Sequence, residues 1–219
     1  MTKPGSTERT TLKRLSYKSS ESTADLHSIL DENLVAHVGV VIDGAPLVIP
    51  MAYGRSDDLI YLHGSSGSRL MRHLEQEPEV CVSITELHAL KVARSNFNSG
   101  MHYRAVVIFG KAKLVPNEEK QRALDVLSDA MIPGRVSEAR PSTKKELAST
   151  LIVSLALDEA SVKIAVNEID DPEEDMNLGY WSGTVPLTSG ASQAIPADEE
   201  SHSLPVPESV KRFIAKHSK

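Results

Sequence analysis

The chain has 219 residues, 40% of them hydrophobic and 25% charged, and carries a net charge of −6. These proportions fit a soluble globular protein long enough to bury a sizeable core. The acidic balance argues against nucleic acid and anionic membrane as partners, and the single cysteine, Cys81, excludes an intrachain disulfide.

The first 18 residues are polar and lack the apolar core of a signal peptide, and no apolar run reaches the length of a membrane span. A cytoplasmic protein is therefore expected. Residues 1–20 are rich in Ser, Thr and Lys and are expected to be flexible. Ser22 is placed to cap a short helix with Leu26, Ile29 and Leu30 on its apolar face. Leu34 to Ile42 is apolar and β-branched and reads as a strand, with His37 and its neighbours expected inside. Asp43-Gly44 is a strong hairpin signal, and the returning strand covers residues 46–53. Pro50 lies within it and cannot donate to a ladder, which marks an edge, a bulge or a break. A third strand follows over 59–63, giving an antiparallel meander.

Residues 61–72 (YLHGSSGSRLMR) read as a strand end, a Gly/Ser loop and the start of a helix spanning 66–76. Gly64 and Gly67 allow a tight backbone and close approach of a ligand. A helix start presents unpaired N–H groups and the positive end of a dipole. Serine hydroxyls and Arg69 around that end form a candidate cradle for a phosphate dianion. The competing reading is a capping serine beside a solvated arginine.

Strand 79–85 places Cys81 as a small buried hydrophobe. Residues 90–95 read as an extension of a strand or as part of a loop. The clearest long strand is 102–115, with Tyr103, Ala105, Val107 and Phe109 on one face and His102, Arg104, Val106 and Ile108 on the other. Asn117 is expected to cap a helix with Ala123, Leu124, Leu127 and Met131 as its apolar stripe. Thr143 to Glu146 fits a capping box. Strands are expected over 150–157 and 161–166, then a solvated acidic loop over 170–175. A last ordered segment lies around Tyr180 to Leu187, and a short terminal helix is placed at 210–214.

The expected organisation is a flexible segment 1–20, one domain over 21–187, and a mostly flexible tail over 188–219. Hairpin links disfavour a doubly wound parallel sheet and favour a mainly β, antiparallel barrel with helical insertions. No metal-ligand spacing, nucleophile elbow or Walker loop is present.

The ordered set HVGVVIDGAPLVIPMAYGR (37–55), YLHGSSGSRLMRHL (61–74), VCVSIT (80–85), ARSNFNSGMHYRAVVIFGKA (93–112) and Tyr180-Trp181 resembles a known family. It is similar to the FMN-binding split barrels related to pyridoxamine 5′-phosphate oxidase, in particular their nitroimidazole-resistance-like branch. The resemblance implies an antiparallel, Greek-key-like split β-barrel that forms a homodimer with FMN at the subunit interface. It places the phosphate against Ser65, Ser68 and Arg69, with His63 at the strand end. The ring edge would follow the backbone of Ile49, Pro50, Met51 and Ala52. The second subunit would contribute parts of Ala93–Arg104, including Arg94, Ser95 and Arg104, together with Trp181.

Two departures stand out. Leu70 occupies the place of a lysine that follows the Ser-Arg pair in the oxidase proper, and no Arg-Leu-x-Pro segment is found near the C-terminus. Oxidation of pyridoxamine phosphate is therefore not expected. The expected function is an FMN-dependent oxidoreductase acting on a small molecule, with no catalytic acid or base assigned. The alternative is a non-catalytic dimeric module binding flavin, haem or deazaflavin.

Overall fold

The computed structural model describes residues 2–218. Strand β1 (Ser19–Ser20) precedes helix α1 (Thr23–Glu32), whose cap is Ser22: its side chain accepts from the Asp25 N–H. Strands β2 (Val35–Ile42) and β3 (Ala45–Ser56) form the expected hairpin. Its turn residues Asp43 and Gly44 have φ of 54° and 77°, the left-handed pair that a tight hairpin demands. Strand β4 (Leu59–Ser65), helix α2 (Arg69–Leu74) and the long strand β5 (Glu79–Val92) follow. The undecided stretch thus belongs to β5 as far as Val92, with a register shift between Leu87 and Ala89.

Strand β6 (Gly100–Lys111) ends sooner than its sequence pattern suggests. Ala112 is buried, its N–H donates to Pro78, and β7 (Lys113–Leu114) leaves to pair with another strand. Helix α3 (Lys120–Met131) starts later than expected. Pro116 leads instead into a single 3₁₀ turn over Asn117–Glu119, and Asn117 makes no side-chain cap. Helix α4 (Lys144–Ser149) carries the complete Thr143–Glu146 capping box. Strands β8 (Thr150–Ala156), β9 (Ala160–Ala165) and β10 (Gly183–Pro186) and helices α5 (Glu199–Ser203) and α6 (Glu208–His217) complete the described chain.

The strands run β1-β9-β6-β5-β2-β3-β4-β8-β7, with β10 added to β5, and every pairing is antiparallel. The sheet curls on itself because the chain leaving β6 becomes β7 beside β8. A split barrel results. Its interior holds Val38, Val82, Ile84, Val106, Ile108 and Ile60, all fully buried, with Leu26 and Ile29 of α1 as a plug. Helix α3 covers β3 and β4 from outside through Ala123 and Leu127.

His37 departs from expectation: it is exposed on the outer face of β2, and Cys81 is only half-buried on the same side. Burial raises the Cys81 thiol pKa above its ordinary value. The chain ends, read as flexible from composition, make specific contacts. Arg9 pairs with Glu159 and Glu79 and lies over the Phe109 ring at 5.1 Å, and Thr10 is buried. Ser209 of α6 is fully buried, its N–H donating to the Glu138 carboxylate at 3.1 Å.

Candidate functional site

The split in the barrel is set by β3. Residues 45–52 pair with β2 alone, and pairing with β4 begins only at Tyr53. One edge of β3 is therefore free along Leu47 to Ala52, where Pro50 sits without costing a ladder bond. A free edge presents unpaired N–H and C=O groups to whatever lies beside it.

Beside it lies a cavity of about 290 Å³ lined by Leu47, Ile49 and Met51 of β3, by Gly64, Ser65 and Ser68, and by Arg69 to Met71. Five of the residues expected at the cofactor, Ile49, Met51, Ser65, Ser68 and Arg69, meet there. Gly64, which lines the cavity, also serves the packing of α2. A Cβ at this position would lie 2.7 Å from Met71 Cγ, so its absence lets α2 close against β4.

The loop between β4 and α2 is held by its own hydrogen bonds. Ser65 Oγ accepts from the Gly67 N–H at 3.2 Å, and the Ser68 N–H donates to the Ser65 carbonyl at 2.9 Å. Ser68 Oγ accepts from the Met71 N–H at 3.5 Å and caps α2. Each hydroxyl keeps its own proton to donate. Leu70 turns into the core, so Arg69 is the one charged residue lining this cavity among the described residues. Its guanidinium reaches the Asp43 carboxylate at 3.3 Å, 26 residues away on the β2–β3 turn. Sequence reading used Asp43 only as a turn former; no local pattern reports this contact.

The other expected site residues do not line the cavity within one chain. Arg94 donates through its backbone N–H and its guanidinium to Asp171, at 2.9 and 2.7 Å, and Ser182 Oγ donates to the same carboxylate at 2.9 Å. Asp171 has 3% of its side chain exposed, although it belongs to the acidic stretch expected to be solvated. Burial works to raise its pKa, but the hydrogen bonds from Arg94 and Ser182 prevail and hold it low. Ser95 Oγ accepts from the Asn98 N–H in the β5–β6 turn. Arg104 faces Glu86 across the strand pair, donates to it through Nε at 2.9 Å, and reaches Glu32 of α1 at 2.7 Å. It has the ion-pair partners that its flanking apolar residues demand. Trp181 is largely exposed just before β10. The side chain of Pro50 faces outward, opposite to those of Ile49 and Met51.

His63 is half-buried on β4, beside Ile152 of β8, and its Nδ1 is buried without a hydrogen-bond partner among the described residues. Burial lowers its pKa below the ordinary histidine value. His73 Nε2 is likewise buried without a hydrogen-bond partner among the described residues, whereas the Nε2 atoms of His27 and His88 stand 3.4 Å from the carboxylates of Asp58 and Glu86. No group of His, Cys, Asp or Glu able to hold a metal ion occurs among the described residues.

Two larger cavities, of about 480 and 570 Å³, lie at the far end of β3 where α6 meets α1 and α3. Their carboxylates are already engaged, Asp31 by Arg55 and Glu32 by Arg104. The smaller cavity is the candidate site because a free strand edge, serine hydroxyls and an arginine converge on it.

A family model described as pyridoxamine 5′-phosphate oxidase matches residues 22–164. Similar solved structures include the FAD and haem binding protein from Mycobacterium smegmatis, 39% identical with a TM-score of 0.88, which covers 90% of this chain and 97% of its own. The flavocytochrome Anf3 from Azotobacter vinelandii is 32% identical with a TM-score of 0.89, covering 97% of this chain and 99% of its own. At 21% identity, a 5-nitroimidazole antibiotic resistance protein homologue from Bacteroides thetaiotaomicron shares the fold, with a TM-score of 0.56 over 67% of this chain and 86% of its own. No curated protein matches. No helix among the described residues is long and apolar enough to cross a membrane.

Proposed function

The chain belongs to the pyridoxamine 5′-phosphate oxidase family, and from that premise we propose that it is a flavin-dependent oxidoreductase acting on a small molecule. The observation that carries this reading is the convergence of the free β3 edge with Ser65, Ser68 and Arg69 on one cavity. A flavin ring has a polar edge of alternating donors and acceptors, which unpaired strand groups along Leu47 to Ala52 complement. Its phosphate-bearing tail is met by Arg69, whose planar guanidinium can bind two phosphate oxygens. Leu47, Ile49, Met51 and Met71 give the ring an apolar bed. The flavin supplies hydride or electron transfer; the protein supplies orientation and electrostatics.

The family resemblance implies FMN, whereas a relative at 39% identity is named for FAD and haem. The same reading includes a cytoplasmic homodimer. The outer sheet face exposes Val35, Val41, Val48 and Leu87, an apolar strip that a second copy would cover. The partner subunit is then the source of the aromatic group missing from the cavity of one chain, while Arg94 and Arg104 are already paired with Asp171, Glu32 and Glu86.

A second reading adds haem to the flavin. It is favoured by the names of the two relatives and by the buried, unpartnered Nδ1 of His63, since burial favours the neutral form of that imidazole and a neutral imidazole is a haem ligand.

The test is the colour of the purified protein, followed by acid release and chromatographic identification of the cofactor. Flavin absorption bands with recovered FMN or FAD support the proposal, and an added Soret band supports the second reading. A colourless protein that takes up neither FMN nor FAD on titration overturns it. Sedimentation distinguishes the dimer: a monomer that retains flavin removes the interface from the argument.

A further inference from the structure

The cradle carries almost no net charge. Among the described residues Arg69 is the single charged one in its lining, and the carboxylate of Asp43 stands 3.3 Å from that guanidinium. Leu70, the next residue, is buried and adds no cation. The serine hydroxyls offer dipoles but no charge. Both members of the ion pair are open to solvent, with 69% of the Arg69 side chain and 88% of the Asp43 side chain exposed. The rim of the cradle at this ion pair is therefore open to solvent.

We propose that Asp43 makes this cradle selective among flavins: it disfavours the terminal phosphate of FMN and favours the dinucleotide FAD. This rests on the flavin reading above. A phosphate monoester carries about −1.5 to −2 charges on one phosphorus at neutral pH. In FAD each phosphorus of the pyrophosphate carries a single charge, and the second one lies further out, towards solvent. One arginine half-neutralised by a neighbouring carboxylate matches the single charge. The extra negative charge of FMN would stand close to Asp43 with no further cation to balance it. At a separation of roughly 6 Å in a high-dielectric rim, that extra repulsion weakens FMN by about two- to threefold relative to FAD.

Asp43→Asn is the informative variant. It removes the charge, keeps the size, and suits the turn, because Asn tolerates the left-handed conformation and Asn-Gly is a preferred hairpin pair. Riboflavin, FMN and FAD are titrated into the cofactor-stripped parent and variant at low salt and again at high salt, with flavin fluorescence as the readout.

The expected result has three parts. FMN binding tightens about three- to tenfold in the variant at low salt. FAD changes less than FMN, and riboflavin does not change. The FMN gain shrinks at high salt, where exposed charges are screened. An unchanged ratio of FMN to FAD affinity in the variant, or an equal shift for all three ligands, overturns the role of Asp43 while leaving flavin binding intact. If none of the three binds the parent, the flavin reading fails first and this one falls with it.

Discussion

Gly54→Ala tests how helix α3 is seated on the barrel. Gly54 lies on β3 just past the point where β4 joins, opposite Tyr61. A methyl group there would meet Leu127 Cα at 2.9 Å, the Val126 carbonyl oxygen at 2.9 Å and the Leu127 nitrogen at 3.0 Å. All three are backbone atoms of α3, so no side chain can rotate out of the way. The helix has to lift, and that loosens the buried contacts of Ala123 and Leu127. Overfilling a packed site costs about 1–3 kcal/mol. The lower backbone entropy of alanine in the unfolded chain returns about 0.4–1 kcal/mol. The net loss expected is about 1–2 kcal/mol. At about 2–4 °C per kcal/mol for a chain of this size, the melting temperature should fall by about 2–8 °C. Thermal unfolding followed by circular dichroism, with urea midpoints alongside, measures it. Gly100→Ala is the control: nothing lies within 4 Å of its added methyl, so it should be neutral to slightly stabilising. A Gly54→Ala protein that melts at or above the parent temperature would refute the close seating of α3 on β3.

Arg69→Ala should weaken FMN more than riboflavin, by roughly tenfold, the low end for a hydrogen bond to a charged group because the arginine is solvent-exposed; equal losses for both ligands would remove Arg69 from the phosphate. His63→Gln should flatten the pH dependence of stability. Burial lowers the folded-state pKa of His63, so between that value and the unfolded value near 6.5 the unfolded chain holds more protons. The parent should therefore lose stability as the pH falls through this window, and urea midpoints of equal slope in parent and variant would contradict the assignment. Asp171→Ala should expose the segment between β9 and β10 to limited proteolysis well before the barrel is cut, because Arg94 and Ser182 lose their shared acceptor. The Asp171 pKa is held low in the fold, so the anchorage is present above the unfolded carboxylate pKa and lost as the pH falls through the folded one. Unchanged cleavage would show that β10 alone holds the segment.

The sequence by itself determined the elements whose reasons are local. The alternation in 102–115 put Val106 and Ile108 together on one face because a strand has a period of two, although only the structure shows that this face is the buried one, and the Asp43-Gly44 hairpin followed from the left-handed conformation its turn requires. The Ser22 cap and the Thr143–Glu146 box were legible because each involves residues three apart. Part of the candidate site was legible in the same way, since Ser65, Ser68 and Arg69 are near neighbours in one loop.

Tertiary structure decided what depends on adjacency between distant residues. β3 exchanges β2 for β4 as its partner at Tyr53, and only that change opens the edge beside the cavity. The long strand breaks at Ala112 because the barrel must close onto β8, a demand absent from its own apolar pattern. The chain ends dock through polar contacts, Arg9 with Glu159 and Ser209 with Glu138, which hydropathy does not register. Asp43 meets Arg69, and Arg94 meets Asp171, across 26 and 77 residues. A charged side chain reads the same in sequence whether it faces water, a ligand or an opposite charge. Which of these it meets is fixed only when the sheet has curled and brought its neighbours into place.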